Sequence, residues 1–265
     1  MFLYSAGDVV LAMDATNGEL LWRYRHQGGA ITSHKFGISL HEDKVLVPTS
    51  DLHMVALDAR SGRVLWDHAI DTGDNTGYAL RSAPLTAGGQ VIQGVAASRV
   101  PGGGFIIAVD LETGEETWRF YTLARPGEPG GNTWNNIPLD QRQGGSVWNT
   151  GGYDPDLDLV FFGVSPTYNT APLLYPLGIE GVSNDALYTN ATLALRPATG
   201  ELVWHFQHMA NDQFDLDWIF ERSIVELDID GETRTVIVTA GHPDPYDAEH
   251  ASTGHYLSSC RPRDT

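Results

Sequence analysis

Three aspartates lie close together in the segment Asn211-Asp-Gln-Phe-Asp-Leu-Asp217. Clustered carboxylate oxygens suit a hard cation such as calcium, which takes roughly six to eight oxygen ligands. One carboxylate could instead accept a proton as the general base of a reaction. The third interpretation is a solvated turn in which the aspartates cap neighbouring backbone groups. The spacing alone leaves all three roles open, so the elements that position this segment must be considered.

A repeated unit organises the chain around this segment. Each strong copy has a short apolar run, a turn with a glycine, and a tryptophan four residues after that glycine. Four strong copies occupy residues 12–22, 56–66, 108–118 and 194–204, and a weaker fifth copy begins at Ala248. The turn glycine allows a positive φ, so each copy is predicted to form a β-hairpin. Its tryptophan is expected to pack against the neighbouring unit, because repeats bury their surface by stacking.

The spacing of the repeats predicts an all-β fold of β-propeller blades, each with four antiparallel strands. The predicted blades occupy residues 1–26, 30–70, 77–122, 144–207 and 218–258, and residues 259–265 are expected to form an unstructured tail. A long loop is expected at 121–144. The first and last blades are expected to be incomplete. The chain is therefore interpreted as part of a larger ring, with missing blades or a partner chain.

The composition excludes several functional classes. Sixteen lysines and arginines against thirty-four aspartates and glutamates give a formal net charge of −18, which argues against a nucleic-acid partner. No apolar run approaches the roughly 18 residues of a membrane-spanning helix. The N-terminal residues lack the basic region of a signal peptide, and we expect the true start to lie upstream. The single cysteine, Cys260, excludes an internal disulfide and a cysteine-ligated zinc site.

The repeat also resembles the tryptophan-docking motif of the quinoprotein, or PQQ-dependent, alcohol dehydrogenases. These enzymes are eight-bladed β-propellers that bind pyrroloquinoline quinone (PQQ). The resemblance covers nearly the whole chain and extends to non-repeat segments in the same order. Those segments are Val47–Ser50, Tyr121–Trp134, Gly144–Thr150, Tyr153–Pro155 and Asn211–Asp217. The resemblance implies that the chain supplies about four to five blades of such a ring.

Three residues acquire roles from this resemblance. Trp148 matches the tryptophan on which the quinone stacks, and a flat aromatic ring suits a flat cofactor; the alternative for Trp148 is an ordinary core residue. Asp215 follows Phe214 and matches the catalytic base, which accepts the alcohol proton as hydride passes to the quinone. Asp217 occupies the position of the additional aspartate of lanthanide-using members. Asp217 and Asp215 are thus the expected metal ligands.

Three other positions depart from the family pattern. Arg99 stands at the position of the metal-binding glutamate, and Pro166 stands at that of the metal-binding asparagine. Neither side chain can ligate a cation, so the calcium or lanthanide site is expected to be absent or rebuilt. Arg99 could instead bind a quinone carboxylate, or it could be a surface residue beside a diverged pocket. His242 replaces the lysine or arginine that contacts the quinone in related sequences.

The resemblance implies a PQQ-dependent dehydrogenase that oxidises an alcohol or a similar small substrate. It also implies a periplasmic location and a cytochrome c as a candidate electron acceptor. Two alternatives stay open: a non-catalytic propeller that acts as a binding or assembly scaffold, and an inactive, truncated remnant of the family. The combination of the Trp148 segment with the acidic segment favours the enzyme lineage over the scaffold.

Overall fold

The chain folds into five antiparallel β-sheets, as the repeat predicts. The computed structural model describes residues 1–28, 37–73, 77–97, 99–242 and 246–260. Within these residues, consecutive strands pair in each sheet, and we call the sheets blades 1–5 in chain order. The only helical elements of the described residues are three 3-10 turns at Gly131–Thr133, Leu139–Gln141 and Ala171–Leu173.

Blade 1 has three strands and the other blades have four. Blade 1 contains β1 (Phe2–Ala6), β2 (Val9–Met13) and β3 (Leu20–Arg25). Blade 2 contains β4 (Ser39–His41), β5 (Lys44–Pro48), β6 (His53–Asp58) and β7 (Val64–Ala69). Blade 3 contains β8 (Leu85–Ala87), β9 (Gln90–Val95), β10 (Phe105–Asp110) and β11 (Glu116–Tyr121). Blade 4 contains β12 (Gly152–Asp154), β13 (Leu159–Gly163), β14 (Ala191–Leu195) and β15 (Leu202–Gln207). Blade 5 contains β16 (Ser223–Ile229), β17 (Glu232–Ala240), β18 (Tyr246–His250) and β19 (Tyr256–Cys260).

The ends of the predicted blades differ from the structure in a few places. Residues 30–36 of the predicted second blade lie outside the described residues. Blade 4 was predicted to start at residue 144, but its first strand covers only Gly152–Asp154, because residues 144–147 bond to neighbouring segments instead. Strand β19 extends two residues into the predicted tail, and residues 261–265 lie outside the described residues.

Blade 5 differs most from the sequence prediction. Its first strand was expected to start at Trp218, but β16 begins at Ser223. Trp218 takes no part in the strand pairing of β16, and its ring stacks on His208 instead. Blade 5 was expected to be incomplete, but strand β18 completes its four-stranded sheet. Asp247 and Glu249 point to one side of β18 and are both buried, so this strand lacks the apolar alternation that marks a half-buried strand in a sequence.

Each repeat forms the predicted hairpin turn in all five copies. The glycine amide donates to the carbonyl four residues earlier at 2.8 Å, and the glycine φ lies between 68° and 76°. This left-handed conformation favours glycine over residues with a Cβ. The four strong copies and the weak fifth copy also share a register shift directly after their alanine, from Ala12 in the first to Ala248 in the fifth.

The repeat tryptophans join each blade to the next, as predicted. Each ring covers the turn glycine of the following blade; a Cβ on Gly62, for example, would lie 2.6 Å from Trp22. Each indole N–H also donates to a main-chain carbonyl of that blade at 2.8–3.0 Å: Trp22 to Ala59, Trp66 to Leu111, Trp118 to Pro197 and Trp204 to Ala251. Four apolar clusters fill the spaces between successive blades. The core is thus a series of interfaces between neighbouring sheets.

Candidate active site

The strands bring the predicted site residues to one end of blades 3, 4 and 5. All of them lie in connections at that end: Arg99 after β9, Trp148 before β12, Pro166 after β13, Asp215 and Asp217 after β15, and His242 after β17. Because neighbouring strands are antiparallel, these connections lie opposite the hairpin turns of the repeat. The tryptophan-docking turns therefore stabilise one end of the blades and leave the other end for a site.

The segment that precedes Trp148 is held between blades 3 and 4 by its backbone. The Val147 amide donates to the Val95 carbonyl at 3.3 Å, and the Ala97 amide donates to Ser146 Oγ at 2.8 Å. On the other side, the Ser165 amide donates to the Ser146 carbonyl at 3.0 Å. These bonds tie the end of β9 to the segment that follows β13. They fix the backbone from which Trp148 projects.

Trp148 begins a row of aromatic contacts that reaches His242. The Trp148 and Phe220 rings meet edge to face with 5.7 Å between their centroids, and Phe220 and His242 meet in the same way at 5.2 Å. Trp148 is only partly buried and lines a cavity of about 430 Å³ with residues 149–151 and 220–222. A second cavity, of about 410 Å³, shares Phe220 and extends towards blade 5. Two predicted cofactor-contacting residues therefore face one another across Phe220.

The three aspartates of the acidic segment have three different environments. Asp212 is buried, and its carboxylate accepts hydrogen bonds from Asn190 Nδ2 at 2.9 Å and from the Leu216 amide at 2.6 Å. It also accepts from the Phe214 amide at 2.8 Å. Asp212 thus caps its own turn, which is the structural role considered for the whole segment, and it anchors residues 212–217.

Asp215 and Asp217 are free of that capping role within the described residues. Asp215 is exposed, and its φ of 61° places it in the left-handed region, where aspartate is among the few residues with a Cβ that are tolerated. Asp217 is partly buried, and its carbonyl accepts the His242 amide at 3.2 Å. The structure therefore places Asp215 towards solvent and Asp217 beside His242.

Asp217 has an incompletely satisfied carboxylate. Its Oδ1 atom is buried and has no hydrogen-bond partner among the described residues. Burial, together with the neighbouring charges of Asp215 and Asp212, raises the pKa of Asp217 to about 6, although His242 acts in the opposite direction. A buried carboxylate oxygen without a donor can be satisfied by a cation. Asp217 thus has the chemistry expected of a metal ligand.

Arg99 and Pro166 do not complete such a ligand set. Pro166 is buried, and its carbonyl accepts the Gly145 amide at 3.0 Å. In the described part of the chain, Arg99 is exposed and makes no hydrogen bond or ion pair. The structure brings Trp148, Asp217 and His242 together, with Asp215 in the same loop. Arg99 lies at the same end of the blades but contacts none of these residues.

Phe220 and Asn190 belong to this arrangement but were not predicted from the sequence. Phe220 links Trp148 to His242, as described above. Asn190 is fully buried; its Nδ2 donates to Asp212, and its Oδ1 accepts the Trp218 amide at 3.3 Å. An asparagine directly before a buried strand is a weak sequence signal. Its role depends on a loop that is about 20 residues away in the chain.

Comparison with known proteins identifies the relatives of this chain. Residues 1–242 match the family model described as "PQQ: Glucose/ethanol/alcohol dehydrogenase, beta-propeller domain". The dehydrogenase subunit of the alcohol dehydrogenase (quinone) from Komagataeibacter europaeus is 34% identical over 97% of this chain and 38% of its own length. The quinohemoprotein alcohol dehydrogenase ADH IIB from Pseudomonas putida is 34% identical over 87% of this chain and 35% of its own length.

Solved structures give the same result for the fold. The quinohemoprotein alcohol dehydrogenase from Comamonas testosteroni superposes with a TM-score of 0.86 at 25% identity, over 98% of this chain and 41% of that protein. The enzyme ADHIIG from Pseudomonas putida superposes with a TM-score of 0.84 at 28% identity, over 97% of this chain and 40% of that protein. The chain therefore spans about two fifths of the length of these relatives. No helix among its described residues combines the length and apolar character needed to cross a membrane.

Proposed function

This chain belongs to the family of PQQ-dependent glucose, ethanol and alcohol dehydrogenase β-propellers, and we propose that it supplies the substrate-oxidising site of such a dehydrogenase. The substrate is an alcohol or a similar small molecule with an oxidisable hydroxyl group. The observation that supports this proposal is the arrangement around Phe220. Trp148, Asp217 and His242 come from three separate connections, and all three meet at one end of the blades.

The residues at this end fit a flat, anionic cofactor. The partly exposed ring of Trp148 borders a cavity, so it offers an aromatic surface on which a quinone can stack. When bound, the quinone accepts a hydride from the carbon that bears the substrate hydroxyl. Arg99 is exposed and uncommitted to another carboxylate among the described residues, so it is available to bind a quinone carboxylate. His242 is the other candidate contact.

The residues fit a metal ion only in part. Asp217 Oδ1 is a buried oxygen without a donor, and Asp215 lies two residues away in the same loop. These two carboxylates would be the protein ligands of a calcium or lanthanide ion. Arg99 and Pro166 supply no ligand from the positions where relatives are expected to have a glutamate and an asparagine. The ligand set is therefore a reduced one.

Asp215 is the proposed general base. Its carboxylate is exposed, so a small substrate can reach it, and Asp212 fixes the loop that presents it. In the proposed reaction, Asp215 accepts the hydroxyl proton of the substrate. Phe214 beside it is 80% exposed and offers an apolar surface for the carbon chain of the substrate. The acid and the aromatic ring thus provide proton transfer and substrate contact from adjacent positions.

The relatives also suggest an electron acceptor. Several are named quinohemoproteins, and others are named dehydrogenase subunits. We therefore extend the proposal to a cytochrome c, or an attached haem domain, that takes electrons from the reduced site. The extended proposal places the protein in the periplasm, in keeping with the family resemblance.

A PQQ titration of the purified chain tests this function. The titration is run with calcium, with lanthanum and with a chelator, and it is followed by absorbance and by a dye-coupled assay with a panel of primary alcohols. The expected result is saturable binding with alcohol-dependent dye reduction. Trp148→Leu should weaken PQQ binding at least tenfold, whereas Trp134→Phe, at a buried tryptophan that does not line the cavity, is the matched control. Absence of PQQ binding in all three conditions would favour the scaffold or remnant interpretation.

A further inference from the structure

A second group of potential metal ligands lies between blades 4 and 5, and none of its members lines the cavity that Trp148 borders. His208 directly follows β15, while Asp247 and Glu249 lie on the same side of β18. Their relative exposures are low: the His208 side chain and Glu249 are at 0%, and Asp247 is at 7%. His208 Nδ1 lies 2.8 Å from Asp247 Oδ2 and 3.6 Å from Glu249 Oε1. One imidazole nitrogen therefore faces two carboxylates in a closed space.

Glu249 has no adequate partner in that space. Neither of its carboxylate oxygens accepts or donates a hydrogen bond within the described structure. Thr239 lies opposite Asp247 in the β17–β18 register, and its Oγ1 is also buried without a partner. An uncompensated carboxylate at 0% exposure is costly, so these oxygens require a ligand. The unsatisfied atoms lie on the face of blade 5 that carries Asp247 and Glu249.

The charge on Arg222 compensates this group only in part. Arg222 is buried nearby, but its hydrogen bonds go to other groups: Thr192 Oγ1 and the main-chain carbonyls of residues 191, 218 and 220. Arg222 offsets one of the two carboxylate charges at a distance and makes no salt bridge to Glu249 among the described residues. With a neutral histidine and both carboxylates ionised, one negative charge is left over, which favours an additional cation.

The Nε2 atom of His208 has the kind of hydrogen-bond partner that the outer nitrogen of a metal-bound histidine usually has. His208 Nε2 lies 2.8 Å from Thr192 Oγ1, so this nitrogen is committed to an oxygen partner and Nδ1 is directed at the carboxylates. The ring is further held by Trp218, which stacks on it at 4.4 Å. Metal-ligating histidines commonly have such an outer partner, which fixes the ring orientation. His208 therefore needs little reorganisation to bind a cation.

We propose that His208, Asp247 and Glu249 bind a divalent cation of the zinc class. One imidazole nitrogen and two carboxylates are a suitable ligand set for zinc. Two ligand atoms at zinc-binding distance in a tetrahedral arrangement are about 3.4 Å apart, and the separations of 2.8 and 3.6 Å bracket that value. The cation satisfies the orphaned carboxylate of Glu249. It also joins the end of β15 to β18 and thereby stabilises the blade 4–blade 5 interface.

The cluster His26–Asp51–His53 provides an internal control. It is the other set of nearby histidine and acid ligands in the described residues. Its groups already have partners: Asp51 accepts from Thr49 Oγ1 at 2.6 Å and lies 3.0 Å from His26 Nε2, and His53 Nδ1 lies 2.6 Å from Asp67. This cluster contains no orphaned oxygen, so we expect the tighter site at Glu249.

The test is zinc binding by the full chain after removal of metal with a chelator. The wild-type chain should take up zinc in isothermal titration calorimetry and retain it through gel filtration, as measured by mass spectrometry of the metal. Glu249→Gln should weaken binding at this site at least tenfold. Asp51→Asn and Asp217→Asn should leave it unchanged, which separates the site from the control cluster and from the proposed quinone site. Equal zinc affinity in wild type and Glu249→Gln would overturn the proposal.

Thermal unfolding distinguishes a variant that has lost the zinc site from one that has failed to fold. Glutamine keeps the shape of Glu249 and removes its buried charge, so the metal-free variant should unfold at the wild-type temperature or above. Zinc at about a hundred times its Kd should raise the wild-type Tm by roughly 5 °C or more. The Glu249→Gln chain should lose that increase. A zinc-dependent increase of the same size in the folded variant would assign the binding to other residues and refute the proposed site.

Discussion

The imidazole of His208 lies parallel to the indole of Trp218, with 4.4 Å between the ring centroids and 4° between the planes. Gly241 also approaches this indole; a Cβ on Gly241 would lie 2.5 Å from Trp218 Cδ2. Trp218 directly follows Asp217 in the chain. The contact of blade 4 with blade 5 therefore fixes the end of the acidic segment, and the proposed zinc site supports that contact from His208.

Gly241→Ala is expected to displace the Trp218 ring. The φ of Gly241 is outside the left-handed region, so an alanine there meets the ring without backbone strain. Overpacking of this kind should lower the free energy of unfolding by about 1–3 kcal/mol. Because Asp217 adjoins Trp218, PQQ binding should weaken as well. Urea unfolding and a PQQ titration measure the two effects; an unfolding midpoint and a PQQ affinity equal to those of wild type would show that the interface tolerates the added methyl group.

Asp215→Asn should lower mainly the activity, whereas Asp212→Asn should lower mainly the stability. The Asp215→Asn chain loses the proposed base, so kcat should fall about 10²–10⁴-fold at saturating quinone and metal, with little change in stability. Asp212 is buried and accepts three hydrogen bonds, so Asp212→Asn should cost about 1–3 kcal/mol of stability. Steady-state kinetics and urea unfolding on both variants distinguish the roles. A fully active Asp215→Asn enzyme would rule out Asp215 as the base.

The raised pKa of Asp217 predicts how stability depends on pH when metal is absent. The folded-state pKa is about 6 and the ordinary value is 3.8, so between these pH values the folded chain holds the proton more tightly than the unfolded chain does. The contribution of Asp217 to stability is therefore most favourable below about pH 4, declines as the pH rises, and is fully lost above about pH 6.

Asp217→Asn should remove this pH dependence. At pH 7.5 in a chelator, the variant should be more stable than wild type by about 1–2 kcal/mol, a range that allows for solvent screening of a partly exposed group. At pH 4 the two chains should differ less. Urea unfolding at both pH values makes the comparison. If the difference between the chains is the same at pH 4 and pH 7.5, the carboxylate is not perturbed by burial.

The fold was predictable from the sequence because its signal is local. A glycine turn and a tryptophan four residues later define each strong hairpin. When two such hairpins stack, the tryptophan of one packs on the turn glycine of the next, as Trp204 does on Gly254. The site depended on the family resemblance, which assigned Trp148 and Asp215 their expected roles. Those roles are proposals, and the structure adds their environment. Neither repeat spacing nor composition indicated that Phe220 lies between Trp148 and His242.

The buried group between blades 4 and 5 was not predicted for a physical reason. His208 and Asp247 are separated by 39 residues in the chain and meet only when the two blades dock. Asp247 and Glu249 alternate along β18 as polar residues usually do on a solvated face, so the sequence pattern indicates exposure. These residues are buried because the neighbouring blade packs against them, and no local sequence pattern predicts that contact.

The tryptophan-docking interface can be tested with two equivalent glycines. Gly18 and Gly200 occupy equivalent positions in two copies of the repeat turn, with φ values of 76° and 70°. A Cβ on Gly200 would lie 2.5 Å from Trp118, whereas a Cβ on Gly18 would meet no atom within 4 Å. Gly18→Ala should cost about 1–2 kcal/mol from the left-handed backbone alone. Gly200→Ala should cost about 1–3 kcal/mol more, because the ring must move. Thermal unfolding followed by tryptophan fluorescence compares the two variants. Equal losses would mean that Trp118 yields to the methyl group without cost, and that the close contact of ring and glycine contributes little to holding blades 3 and 4 together.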